Sequence, residues 1–377
     1  MVTVINPFIS GKYISSDYFC GRKEEIALLT KWAKEENNVL LTSKPRIGKS
    51  YLVQHFFQDK EIQDSYYCFY VDIYATKSIR DFAFQFCKSV VKTLCKYEKE
   101  ILQNLFLQVQ SLRGNIFLDS KEEDILQLEL GDLDNPWDTF WEILKFLSSL
   151  NKPCIIGINA FQQVLSYLEK DAIFLLKETI EESTNIRWIM SFVQKDLFNS
   201  FSFSEEFTKK TETLELQPLP INELTIYVKD HFRLFKGNLK DIEPETIAFI
   251  YKELHGITQY IQEVLSILYY MTPTQGLCAP TMVQEALTIT VNSYHSTFRE
   301  TFMRLPEKQK ELLIAIAKEG KVQGITSGVF IKKHKLLSAS SVQAALKGLI
   351  EKDFLFTENN QFELINSFLI TWIKENY

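Results

Sequence analysis

Glycine is scarce in this chain. Only 13 of its 377 residues are glycine, roughly half the usual share, so a loop that needs left-handed backbone has few places to occur. Cysteine is sparse too, and Cys20, Cys68, Cys87, Cys95, Cys154 and Cys278 form no C-x-x-C pair. That pattern excludes a zinc ribbon or a disulfide framework and fits reduced, buried thiols in a cytoplasmic protein. His55, His231, His255, His295 and His334 share no ligand spacing such as H-E-x-x-H, so neither a metal centre nor a nucleophilic triad is expected. The chain shows no basic segment leading into a short apolar one at its start and no run of about 20 apolar residues, so secretion and membrane spanning are not expected. Positive charge is not in excess either. With 42 Lys and Arg against 48 Asp and Glu, the chain does not coat nucleic acid over its whole surface, although a local basic face remains open.

Hydrophobic residues make up 46% of the chain, 29 Phe and 16 Tyr among them, which suffices for the two or three cores that this length implies. Short, bounded, apolar runs at Val39-Leu40-Leu41, Tyr66 to Tyr74, Cys154 to Ile158, Arg187 to Val193 and Leu214 to Leu216 read as buried strands. Amphipathic helical patterns separate them, at Ser50 to Phe57, Ile79 to Leu94, Trp137 to Leu150 and Asp171 to Glu182. Strands alternating with helices predict an α/β doubly wound parallel sheet with helices on both faces. After Pro218 and Pro220 the strand signals stop, and helical periodicity runs through Asn222 to Phe235, Pro244 to Leu254 and Gln259 to Met271. Beyond Leu305-Pro306-Glu307 come three short helical patterns and a small hairpin over Phe354 to Ile365, the element order of a winged helix-turn-helix. The expected domains are 1–217 (α/β), 218–290 (all-α) and 291–377 (winged helix).

The first strand runs directly into Ser43-Lys44-Pro45-Arg46-Ile47-Gly48-Lys49-Ser50 and then a helix. This is the phosphate-loop pattern G-x-x-x-x-G-K-[ST] with one departure, Ser43 for the first glycine, which a serine with negative φ can accommodate. Gly48 lets backbone N–H groups wrap a β-phosphate, Lys49 supplies a charge toward the β- and γ-phosphates, and Ser50 offers its hydroxyl to Mg²⁺. The loop from Ser43 through Tyr51 is the expected nucleotide-binding segment, with Ser50 its metal contact.

Around this loop the chain resembles the archaeal-type ATPases of the STAND class of AAA+ P-loop NTPases. The resemblance rests on Asn6-Pro7-Phe8, Tyr18-Phe19-Cys20-Gly21-Arg22 with Glu24-Glu25, Pro45 to Ser50, Val71-Asp72-Ile73, Ile158 to Gln163, Ser191 to Gln194, Gly256 to Gln262 and Leu305 to Trp372. It implies an AAA+-like core, an all-α lid and a C-terminal winged helix, with ATP or ADP and Mg²⁺ as cofactors. It also makes Arg22 either a contact to the nucleotide's base or phosphates, or a surface arginine capping the next helix.

The departures from that family are as informative. Where the third strand should end in an Asp for the Mg²⁺ shell and a Glu for the attacking water, the chain has Asn159 and Ala160. An amide brings no negative charge, and a methyl group can do nothing for a proton. The sensor position on the fourth strand reads Phe192-Val193, the lid's Gly-x-Pro turn reads Gly256-Ile257-Thr258, and the Asp before the last aromatic pair reads Asn366. Asp72 is the nearest substitute carboxylate, but the family's sheet order puts its strand at the edge, away from the phosphates. Asp132 and Asp134 ahead of Pro136 read as an acidic loop, and Glu122-Glu123-Asp124 as the solvated start of a helix.

From Arg304 to Lys352 there are ten Lys or Arg and four Glu. Lys332, Lys333 and Lys335 precede the expected recognition helix, which offers Gln343 and Lys347 as long base readers and no arginine. The sequence therefore predicts a nucleotide-binding switch or scaffold, its hydrolysis weak or lost, whose winged helix meets an unknown protein partner or DNA. Two alternatives stay open. One is an active ATPase that borrows a carboxylate or a neighbouring subunit; the other is a DNA-binding protein with a vestigial P-loop.

Overall fold

Five consecutive buried residues in the first strand cannot belong to a sheet with an exposed face; they require a sheet covered on both sides. The computed structural model describes residues 6–11, 13–109, 112, 136–194, 196–234, 239–358 and 360–377. The acidic stretches at 122–124 and 131–135 lie outside the described residues. Two compact units result: 12–217, and 218–377 together with the N-terminal residues up to Gly11.

The first unit is built on β1 (Asn38–Thr42), β2 (Tyr67–Asp72), β3 (Cys154–Asn159), β4 (Ile186–Phe192) and β5 (Thr211–Glu215). They form one parallel sheet in the order β2-β3-β4-β1-β5. Its helices are α1 (Lys23–Lys34), α2 (Lys49–Phe56), α3 (Lys60–Ser65), α4 (Ile79–Tyr97), α5 (Lys99–Gln108), α6 (Pro136–Ser148), α7 (Ala172–Glu182), α8 (Asp196–Asn199) and α9 (Glu205–Lys209). Alternation along β3 sorts the two faces. Ile156 and Ile158 join Phe82, Phe86 and Phe140 of α4 and α6 in one apolar cluster, whereas Gly157 between them points at Val53 and Phe57, in and just after α2. Short polar caps start several helices: Asp59 accepts from the N–H groups of Glu61 and Ile62, and Ser78 from that of Asp81.

The second unit holds α10 (Ile221–Leu234), α11 (Pro244–Glu253), α12 (Thr258–Met271), α13 (Val283–Ser293), α14 (His295–Met303), α15 (Glu307–Glu319), α16 (Gly328–Lys333), α17 (Ala339–Glu351) and α18 (Ser367–Asn376). Most of its buried apolar residues form one continuous cluster from Leu224 to Ile373 that includes Phe8. Asn6 fastens that N-terminal piece, its Nδ2 donating to the Ser266 carbonyl at 2.8 Å and the Ser266 hydroxyl at 2.9 Å.

Strand structure does not stop at Pro218 as the periodicity suggests: β6 (Asp241–Ile242) and β7 (Leu277–Cys278) pair in parallel over two residues, too short to leave a pattern. In the C-terminal part, β8 (Val322–Gln323), β9 (Leu355–Glu358) and β10 (Gln361–Leu364) form an antiparallel sheet in the order β8-β10-β9. Ser327 and Ser338 cap α16 and α17. Asn366 accepts from the N–H groups of Phe368 and Leu369 and so caps α18.

Gly256 keeps its conformational role although the proline two residues on is missing. It has φ +70°, and a Cβ there would lie 2.8 Å from Pro218 and 3.0 Å from Tyr251. Thr258 opens α12 at the position a proline would favour. Gly256→Ala combines left-handed strain with two close contacts and is expected to destabilise the second unit by about 2 kcal/mol, measured by chemical denaturation.

Candidate functional site

The loop between β1 and α2 owes its shape to two left-handed residues, Arg46 (φ 69°) and Gly48 (φ 111°). Ser43 is not left-handed, as its replacement of glycine requires. Inside the loop, Lys49 Nζ donates to the Ser43 carbonyl at 3.0 Å, to the Ser43 hydroxyl at 2.8 Å and to the Lys44 carbonyl at 3.5 Å. The ammonium is thus folded across the loop with its donors turned onto backbone oxygens, and burial lowers its pKa to about 7. Ile47 anchors the loop in the core. α2 starts at Lys49 with no side-chain cap, which leaves its first N–H groups available to an anion.

Ser50, one residue on, joins a second group of side chains. Its hydroxyl donates to Asn159 Oδ1 at 3.0 Å, and Asn159 Nδ2 donates to Asp72 Oδ1 at 3.2 Å. The Tyr70 hydroxyl lies close to the Ser50 side chain, which partly offsets the rise in the Tyr70 pKa that burial causes. β2 is the edge strand, as expected, and its register sets Asp72 directly opposite Asn159, whose amide links it to Ser50. Ala160, just after β3, is left-handed (φ 60°) and buried.

Arg22 is not a surface residue. It is 5% exposed, has left-handed backbone (φ 64°) immediately before α1, and makes no side-chain cap. Its Nη1 donates to Glu25 at 2.7 Å, while Nη2 is buried without a hydrogen-bond partner. A buried guanidinium donor left unpaired costs about 1–3 kcal/mol, which an anionic or carbonyl-bearing ligand would relieve.

Sequence reading missed how the segment before Arg22 is held. Phe19 stacks on His55 of α2 at 3.9 Å and 11°, and the Tyr13 hydroxyl lies 3.0 Å from His55 Nδ1. Tyr13 also meets Tyr51 edge-on at 6.2 Å. Burial lowers the His55 pKa, an effect that Asp59 partly offsets. His55 carries no ligand spacing, and its use as a stacking partner leaves no local signature. At the end of β4, Phe192 is fully buried and meets Phe161, Phe198 and Phe201 edge-on. That position has gone to packing.

A family model described as "Probable winged helix domain" matches residues 296–375. No curated protein matches the chain in sequence. Among solved structures, the chain is similar to a Walker-type ATPase of Pyrococcus abyssi, with 16% identity, coverage of 98% of this chain and 99% of that one, and a TM-score of 0.65. It is also similar to the Aeropyrum pernix ORC2 protein in its ADP form, at 14% identity, 98% and 96% coverage and a TM-score of 0.57. The Aeropyrum pernix ORC1 protein in complex with DNA follows at 12% identity, 96% and 95% coverage and a TM-score of 0.52. The fold is an AAA+ P-loop fold with a C-terminal winged helix. Identities this low speak for the fold alone. Among the described residues of this AAA+-like chain, no helix is long and apolar enough to cross a membrane.

Proposed function

We propose that the chain is a nucleotide-held switch or scaffold of the STAND type. ATP or ADP binds at Gly48, Lys49 and Ser50 with the rest of the loop from Ser43 to Tyr51 and Arg22, Mg²⁺ rests on Ser50, and hydrolysis is slow or lost. In this reading the three expected domains, 1–217, 218–290 and 291–377, are the nucleotide-binding core, the lid and the partner-binding winged helix, with the segment around Asn6 and Phe8 held by the second unit and not by the core. One observation carries the reading: a phosphate loop that keeps Gly48, Lys49 and Ser50 stands beside a third strand that ends at Asn159 and is followed by Ala160, where water activation has no base. Occupancy of the loop would then shift a population between conformations without turnover. The orphaned Arg22 donor and the solved ORC2 relative in its ADP form support the same ligand class.

Calorimetry with ADP and ATP on the full chain, together with steady-state phosphate release, tests this. The expected result is micromolar or tighter binding, with phosphate release equal to that of a Lys49→Ala control. Release well above that control would make the protein an active ATPase. Absence of binding would make the loop vestigial.

A second reading, DNA binding through the winged helix, is favoured by the exposed Lys332, Lys333 and Lys335 ahead of α17 and by the ORC1 relative solved with DNA. It ranks second because the basic cluster is partly neutralised from within. Lys333 and His334 both contact Glu319, at 2.5 and 2.7 Å, and hold its carboxyl below the usual range. Duplex affinity that falls steeply with salt would support DNA binding, and salt-insensitive or absent binding would sink it.

A further inference from the structure

The four side chains Ser50, Tyr70, Asp72 and Asn159 come from three elements, α2, β2 and β3, and meet at the carboxyl ends of the two strands. Register fixes the arrangement: Tyr70 stands opposite Gly157 and Asp72 opposite Asn159. Tyr70 and Asp72, two apart on β2, therefore share the face of the sheet on which Ser50 is reached. The Asn159 side chain is bifunctional. Its carbonyl accepts the Ser50 proton and its amide nitrogen donates to Asp72. An aspartate at 159 could not do both, since an ionised carboxylate has no proton to give, and it would stand against Asp72 as a like charge.

We propose that Asp72 is a positioning residue for the divalent cation that accompanies the nucleotide, supplying from the edge strand the negative charge that β3 lacks. The inference rests on the nucleotide-site reading above and deepens it. Through Asn159 the carboxylate fixes the Ser50 hydroxyl with its proton turned inward, so that an oxygen lone pair is left for the cation. Both hydrogen bonds that Asp72 accepts among the described residues, from Asn159 Nδ2 and from the Tyr74 N–H, fall on Oδ1. Oδ2 remains to attract the cation or a water in its shell. The carboxylate is exposed, as a residue that meets a hydrated ion from outside must be.

The test transposes the charge. ADP binding to the full chain is measured by calorimetry with Mg²⁺ and with chelator, for the wild type, Asp72→Asn, and the double variant Asp72→Asn/Asn159→Asp. Mn²⁺ bound in the presence of ADP is counted separately by electron paramagnetic resonance. The expected result is that Mg²⁺ strengthens wild-type ADP binding about tenfold, that Asp72→Asn loses this gain while its chelator affinity is unchanged, and that the double variant recovers it. Bound Mn²⁺ follows the same order. A purely structural role for Asp72 would move both affinities together and would not be rescued by moving the charge. Equal Mg²⁺ gains in the wild type and Asp72→Asn, or no gain in the wild type, overturn the proposal and leave the nucleotide site standing. Absence of ADP binding under either condition overturns both.

Discussion

Gly157→Val is expected to cost the first unit about 3 kcal/mol and to weaken nucleotide binding in the fraction that stays folded. A Cβ at this position would already lie 2.7 Å from Val53 Cγ1 and 3.2 Å from the Phe57 ring. Valine adds two methyl groups in the same direction. The face cannot yield on the far side, because Ile156 and Ile158 are locked into the cluster with α4 and α6, and close-packed interiors transmit such strain. The element that moves is α2. Since α2 begins at Lys49, lifting it from β3 displaces the phosphate loop. Urea denaturation reads the stability, and ADP titration reads the displacement. Val53→Ala in the same chain should recover part of both losses, because the two sites share one contact. Stability equal to wild type in Gly157→Val would mean that α2 does not lie on β3.

Lys49→Met is expected to lower ADP affinity by about a hundredfold, ~2.7 kcal/mol, while the ligand-free protein unfolds at the same temperature or a higher one. The two halves have one cause. In the loop the ammonium is half-buried and donates to the Ser43 and Lys44 carbonyls and the Ser43 hydroxyl, none of them a charged partner. Removing a desolvated charge of this kind relieves the fold, and removing the same charge from beneath a phosphate exposes what it was for. Thermal unfolding with and without ADP separates the effects: the wild type gains stability from the ligand and the variant does not. A variant that loses stability without ligand would give Lys49 a structural role instead.

Much of this was legible in the sequence. Four of the five strands stand within two residues of their apolar runs, since a strand buried on both faces must be apolar throughout, whereas the edge strand β5 starts three residues earlier, in the polar Thr211-Glu212-Thr213. The phosphate loop could be placed because its glycine and lysine have fixed spacing between a strand and a helix. What escaped was set by partners distant in sequence. Arg22 reads equally as a nucleotide contact or as a surface residue until its burial is seen, and Phe19, Tyr13 and His55 are ordinary aromatics until they meet. Asp72 could be named as the nearest substitute carboxylate, but its hydrogen bond to Asn159 depends on the register of β2 on β3, which no local pattern carries.

The N-terminal residues up to Gly11 fold with the second unit, so in chain order the first unit is an insertion within the second. Asn6 meets Ser266 across 260 residues. On a ribosome adding about 5–20 residues per second, Phe8 waits roughly 13–50 s for the helices that cover it. During that interval a large aromatic side chain travels with a first unit that can already be folded. Expression conditions that slow elongation should therefore lengthen the exposure of Phe8, and chaperone demand should track translation speed, with Phe8→Ser removing the dependence at the cost of the second unit's core.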